Sequence, residues 1–348
     1  MEQQAKTKRE RNIAFDVMNI LACFGVVALH HNGLAHSYVA GSAGWVQSFV
    51  VECLCYCSVP LFMMISGANL LAYRERYTTA EFFKKRFLRT VVPWLFWSVL
   101  FLVWKLGDGQ MVLEPLNLRT CVNAILNSKV MSVYWFFPAL FVCYLVMPVL
   151  SLARNRRKLL WYTAGILFLF YSVKPAAALW LKLNWSIDEP LGGYLLIFVV
   201  LGYLLATGEP GKKERAVIYV LGAAGLFFRF FYTWYWSVQL GATDTSVKGY
   251  SWFHSVFYAC AVFVLGCRIP WRKILPQWLQ KRIPDISACS FGVFLIHRML
   301  MQYESEWLGI GNNDLIWRTL CVPLTYLVCL GIVSLIRRIP GVRIIVGG

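Results

Sequence analysis

Apolar residues in this chain come in long unbroken runs, not in the alternation of a half-buried strand or the one-sided stripe of a surface helix. A helix needs roughly 20 such residues to cross the hydrocarbon of a bilayer. Runs of that kind recur near 12–34, 45–72, 90–106, 133–151, 159–178, 190–206, 216–236, 251–267, 286–301 and 315–336. The pattern predicts an all-α, polytopic integral membrane protein with about ten transmembrane helices. A membrane barrel would need short alternating segments, which the chain lacks. The connections are short except near 107–132, where a short amphipathic segment is expected. Residues 1–348 read as a single transmembrane domain with no appended soluble domain. No internal repeat stands out, which weighs against an inverted-repeat transporter.

Charge settles the orientation. The chain holds 34 Lys and Arg against 17 Asp and Glu, a net charge of +17. In a soluble protein that excess would point to nucleic acid. Here 25 of the 34 fall in alternate connections, counted from the N-terminal tail. Basic residues collect on the cytoplasmic side of membrane proteins, so both termini are expected in the cytoplasm and the number of spans is expected to be even. Membrane lipids are the expected surroundings, and nucleic acid is excluded as a partner. With 59% hydrophobic and 15% charged residues, the chain would expose too much apolar surface as a soluble domain. The first apolar run is longer than a signal-peptide core and carries Asp16, so it is expected to be retained. The 11 cysteines are scattered. Cys53, Cys55 and Cys57 alternate, which puts their thiols on different sides of a helix and argues against a metal site.

The first run, "DVMNILACFGVVALHH", carries groups that are costly in a membrane. At 100° per residue, Asn19 and His30 differ by about 20° after three turns and Asp16 and His30 by about 40°, so the three share a face. His30 lies roughly 27 Å along the helix from Asn12, toward the outer half of the bilayer. An imidazole there suits proton transfer at neutral pH. It equally suits a structural hydrogen bond to a carbonyl or a neighbouring helix. Glu52, in the outer half of the second run, could orient an imidazole, hold an acceptor hydroxyl or simply meet interfacial water. Arg86 and Arg89, three apart on one helical face after Lys84 and Lys85, can grip a phosphate. They also fit ordinary anchoring beside lipid headgroups. His297 reads as a helix-end histidine hydrogen-bonded at the outer interface.

Six stretches in order are similar to the membrane-bound acyltransferase family 3: "FDVMNILACFGVVALH", "VPLFMMISGANLL", "KKRFLRTVVPW", "YWFFPALFVCYLVMPVL", "LLIFVVLGYLLA" and "CSFGVFLIH". The resemblance runs from Arg11 to about Ile336. It implies an O-acyltransferase that takes an acyl group, most often acetyl, from cytoplasmic acyl-CoA as donor substrate. The acceptor is a hydroxyl of a sugar, glycan or lipid-linked saccharide at the outer face. The family's essential histidine aligns with His30, the general base, and its R-x-x-R motif aligns with Arg86 and Arg89, which would hold the CoA phosphates beside Lys85. Asp16 would pair with one of these arginines or cap the first helix, and Glu52 would orient His30. Two positions depart from the family. Asn19 stands where a basic residue is usual eleven places before the histidine, and "VYWFF" replaces a stretch like "HLWFL".

The implied setting is the plasma (inner) membrane of a bacterial cell, with no metal and with a homodimer as a compatible assembly. The alternative is a proton-coupled transporter or a flippase of a glycan or lipid intermediate, in which His30, Glu52 and Asp16 form a proton relay.

Overall fold

The computed structural model describes residues 11–189 and 193–348. All regular structure among them is helical. The helices are α1 (Ile13–His31), α2 (Ala43–Cys55), α3 (Ser58–Leu70), α4 (Thr79–Arg86), α5 (Val92–Gly107), α6 (Leu118–Leu126), α7 (Phe136–Leu152) and α8 (Arg157–Phe168). There follow α9 (Leu196–Gly208), α10 (Lys212–Leu240), α11 (Phe253–Arg268), α12 (Gln277–Leu308) and α13 (Cys321–Arg338). Eight segments are long and apolar enough to cross a membrane, and α9 and α11 are shorter apolar helices at the sixth and eighth expected positions.

Proline explains where the long runs lose regularity. A proline ring clashes with the carbonyl four residues earlier and supplies no amide hydrogen to it. Pro60 has that effect at Tyr56, where the second run breaks into α2 and α3. Pro93 has it at Arg89, inside the π-helical turn Phe87–Val91 that joins α4 to α5. Pro175 has it at Tyr171, inside a second such turn, Leu169–Val173. Widened turns of this kind absorb the mismatch without ending the helix.

Glycine sets the closest packing. A Cβ on Gly67 of α3 would lie 1.9 Å from the Val199 carbonyl oxygen of α9, and one on Gly202 would lie 2.2 Å from the Met64 carbonyl oxygen. Only glycine permits that approach, and close backbone contact is how helices associate where water gives no hydrophobic drive. Residues 196–200 of α9 are wholly buried, so this short helix is a central post. By contrast α10 shows Val217, Val220, Phe227 and Phe231 on its surface, as a lipid-facing helix should. α1 packs on α12 through polar contacts: the Asn19 amide donates to the Ser287 carbonyl at 2.9 Å and to Ser287 Oγ at 3.0 Å. The Cys23 thiol donates to the Ser290 carbonyl at 3.3 Å.

Candidate functional site

Three cavities follow one another through the bundle beside α1. The first lies at the end that carries the basic connections and measures about 250 Å³. Arg86, Arg89, Asn19, Thr90, Tyr144 and Ser287 line it. The π-helical turn displaces Arg89 from an α-helical position relative to Arg86, yet both side chains reach this one space. Arg86 Nε is buried with no hydrogen-bond partner, and its guanidinium carbon lies 5.8 Å from the centre of the Tyr144 ring. Among the described residues neither arginine has an acidic partner.

The second cavity, about 260 Å³, lies deeper and is lined by His30, His36, Glu52, Tyr56, Trp135 and Lys248, among others. Phe136 and Phe294 line both cavities, with ring centres 5.2 Å apart, and form the partition between them. The third is the largest, about 790 Å³. His30, Leu29 and His36 line both the second and the third, so His30 stands at the junction.

α1 places His30 by its two caps. The Asn12 side chain accepts from the Ala14 amide at 3.0 Å, and the Asn32 side chain donates to the Ala28 carbonyl at 2.8 Å. The His30 ring lies 5.2 Å from the ring of His297. Among the described residues it makes no hydrogen bond, which leaves both nitrogens free for chemistry. Its neighbour His31 is wholly buried and fully used. His31 Nδ1 donates to the Val27 carbonyl at 3.0 Å, and Nε2 lies 3.0 Å from Thr325 Oγ1, which also bonds Glu304.

His297 differs from the sequence expectation. α12 continues eleven residues past it to Leu308, so it ends no helix, and it is wholly buried. Its Nδ1 donates to the Phe294 carbonyl at 2.8 Å, and Nε2 has no partner. It is a second imidazole of the site, missed because the apolar run stops near 301 although the helix does not.

Glu52 also differs. It does not hold His30: its carboxylate accepts from Arg229 at 3.0 Å, with His36 at 3.4 Å and Lys248 at 4.0 Å. Arg229 in turn donates to the Val247 carbonyl at 2.8 Å and lies 5.0 Å from the centre of the Tyr56 ring. The Lys248 ammonium lies 3.0 Å from His36 Nδ1, the nitrogen that also faces Glu52. Burial, with Lys248 and Arg229 nearby, holds the His36 pKa below its ordinary value despite the opposing pull of Glu52. Trp135, Tyr250 and Tyr56 stack in series beside this cluster, with ring centres 5.6 and 4.3 Å apart.

Asp16 and Lys85 lie apart from these cavities. Asp16 accepts two hydrogen bonds from Arg11, at 2.7 and 2.8 Å, and not from Arg86 or Arg89. The N-cap is Asn12. The Lys85 ammonium lies 3.8 Å from the centre of the Tyr77 ring.

A family model described as an acyltransferase domain, that of acyltransferase family 3, matches residues 12–334. The chain belongs to this acyltransferase family. It is also 27% identical over 182 residues to the nodulation protein NolL of Mesorhizobium japonicum, a stretch covering 52% of this chain and 44% of that protein. The chain thus spans under half the length of this curated relative. No solved structure matches. Cavities reach the first-helix histidine of this chain from both ends. The amide of Asn19 bridges α1 to α12.

Proposed function

We propose that the chain moves an acyl group, acetyl in the simplest case, from cytoplasmic acyl-CoA to a saccharide hydroxyl at the opposite face of a bacterial plasma membrane. One observation supports this most: His30 stands where the inner pair of cavities meets the outer one, and the inner pair leads back to Arg86 and Arg89. The donor phosphates engage the two arginines, which have no acidic partner among the described residues. The pantetheine arm passes between Phe136 and Phe294 and brings the thioester to the central cavity. His30 takes the proton of the acceptor hydroxyl, the oxygen attacks the thioester carbonyl, the new C–O bond forms, and the C–S bond breaks to release the CoA thiolate. That thiolate takes up a proton and leaves as free CoA. The Glu52–Arg229 pair and the aromatic stack hold the cavity wall. The family membership favours this reading over a transporter or flippase.

The test is acetyl-CoA binding by the purified protein together with release of free CoA. Wild type should bind saturably, Arg86→Ala and Arg89→Ala should bind about 10-fold or more weakly, each having lost a charge-assisted contact, and His30→Ala should bind normally without turnover. Unchanged affinity in both arginine variants, or full turnover in His30→Ala, would refute the assignment.

A further inference from the structure

Three cations and one acid line the outer cavity among the described residues. Lys105 in the last turn of α5, Lys129 in the connection after α6, and Arg298, which follows His297 on α12, all line it. The one acid on its wall, Glu306, already accepts from Gln302 at 2.9 Å. None of the three cations has an acidic partner among the described residues. Elsewhere in the fold Arg229 is matched by Glu52, Arg11 by Asp16, Arg154 by Glu75 and Lys174 by Glu189. Arg298 is only partly exposed. Gathering like charges around a cavity in a low-dielectric bundle costs both repulsion and desolvation. A ligand that brings negative charge removes both costs.

We propose that this cavity is the acceptor subsite and that the acceptor is an anionic saccharide, with a phosphate or carboxylate held by Arg298, Lys105 and Lys129. This rests on the acyl-transfer reading of His30. The volume, about 790 Å³, lies within the range of small-molecule sites. With its anion fixed at the cationic wall, the acceptor has a hydroxyl left to present to His30 on the same wall. The cluster thereby selects the acceptor and sets which hydroxyl reacts.

The experiment uses the full chain in phosphatidylcholine nanodiscs without CoA, titrated with glucose 1-phosphate, glucuronic acid and glucose. At least one anionic sugar should bind about 10-fold or more tightly than glucose, and the preference should weaken with salt. The Arg298→Gln/Lys105→Gln variant should lose the preference and keep its acetyl-CoA affinity, which shows that it is folded. Equal affinity for all three sugars in the wild type would overturn the proposal, as would a preference that survives the double replacement. So would loss of the preference when phosphatidylglycerol is added to the discs, since the cluster would then serve lipid headgroups. Failure of wild type to bind acetyl-CoA while the sugar preference holds would count against the donor reading alone.

Discussion

The Glu52–Arg229 pair gives a quantitative test of how the site is held together. Both groups are nearly inaccessible, at 5% and 4% exposure, and meet at 3.0 Å. Replacing Arg229 with methionine leaves the Glu52 carboxylate buried with only Lys248, at 4.0 Å, and His36 nearby, and it takes the donor from the Val247 carbonyl. Removing one partner of a buried pair costs about 3–5 kcal/mol, most of it the burial of the charge left behind. Glu52→Gln keeps a hydrogen-bond acceptor and leaves Arg229 its carbonyl, so its cost should be nearer 1.5–3 kcal/mol, about that of a hydrogen bond to a charged group. The double variant buries neither charge. It should lose less than the two singles together, with a coupling of about 2 kcal/mol. Unfolding by sodium dodecyl sulfate in mixed micelles, followed by circular dichroism, gives the three differences. Additive losses, or single-variant losses below about 1 kcal/mol, would show that the pair is not the mutually dependent unit described here.

Three further expectations follow from the same geometry. Phe294→Trp should narrow the partition between the arginine-lined and central cavities, leaving acetyl-CoA affinity near wild type while CoA release falls about 10-fold or more; an unchanged rate would show that the arm does not pass there. Thr325→Val should take the hydroxyl partner from His31 Nε2 and from Glu304 in a buried setting and cost about 1–3 kcal/mol in the same unfolding assay; a neutral result would show that the His31–Thr325–Glu304 chain contributes nothing. His36, facing Glu52, Arg229 and Lys248, has a pKa below its ordinary 6.5, so between that lowered value and pH 6.5 the unfolded chain binds more protons than the folded one. Stability should therefore rise with pH through this window and flatten above it. His36→Gln should reduce the slope, and an identical slope would contradict the lowered His36 pKa.

The eight long apolar segments were legible because each must cover its own backbone polar groups in lipid. α9 and α11 are shorter than the eight spanning segments, and protein surrounds much of them, so length was a poor guide there. The break at Tyr56 and the widened turn at Arg89 had a local signal, prolines four residues on, but proline alone does not tell a break from a π-helical turn. Residue type and depth singled out His30, Arg86 and Arg89 as candidates, and all three line cavities. Asp16 shared their stripe on α1 but met Arg11 one turn away, a local partner the helical projection did not weigh. The Glu52–Arg229 pair spans 177 positions and His30–His297 spans 267, and no periodicity along one chain reports contacts of that separation. Arg229 shares a buried stripe with Gly222, Gly225, Thr233 and Ser237 on a helix whose remaining faces carry exposed apolar residues.

The central claim, a donor path from the arginines to His30, can be tested without knowing the acceptor. An acyl-CoA carrying a photoreactive diazirine on the acyl chain is bound, irradiated, and its adducts are mapped by mass spectrometry. The account predicts adducts on His30, Phe136 and Phe294, lost together in Arg86→Ala/Arg89→Ala. Adducts confined to the lipid-facing surface, or persisting unchanged in that variant, would contradict it.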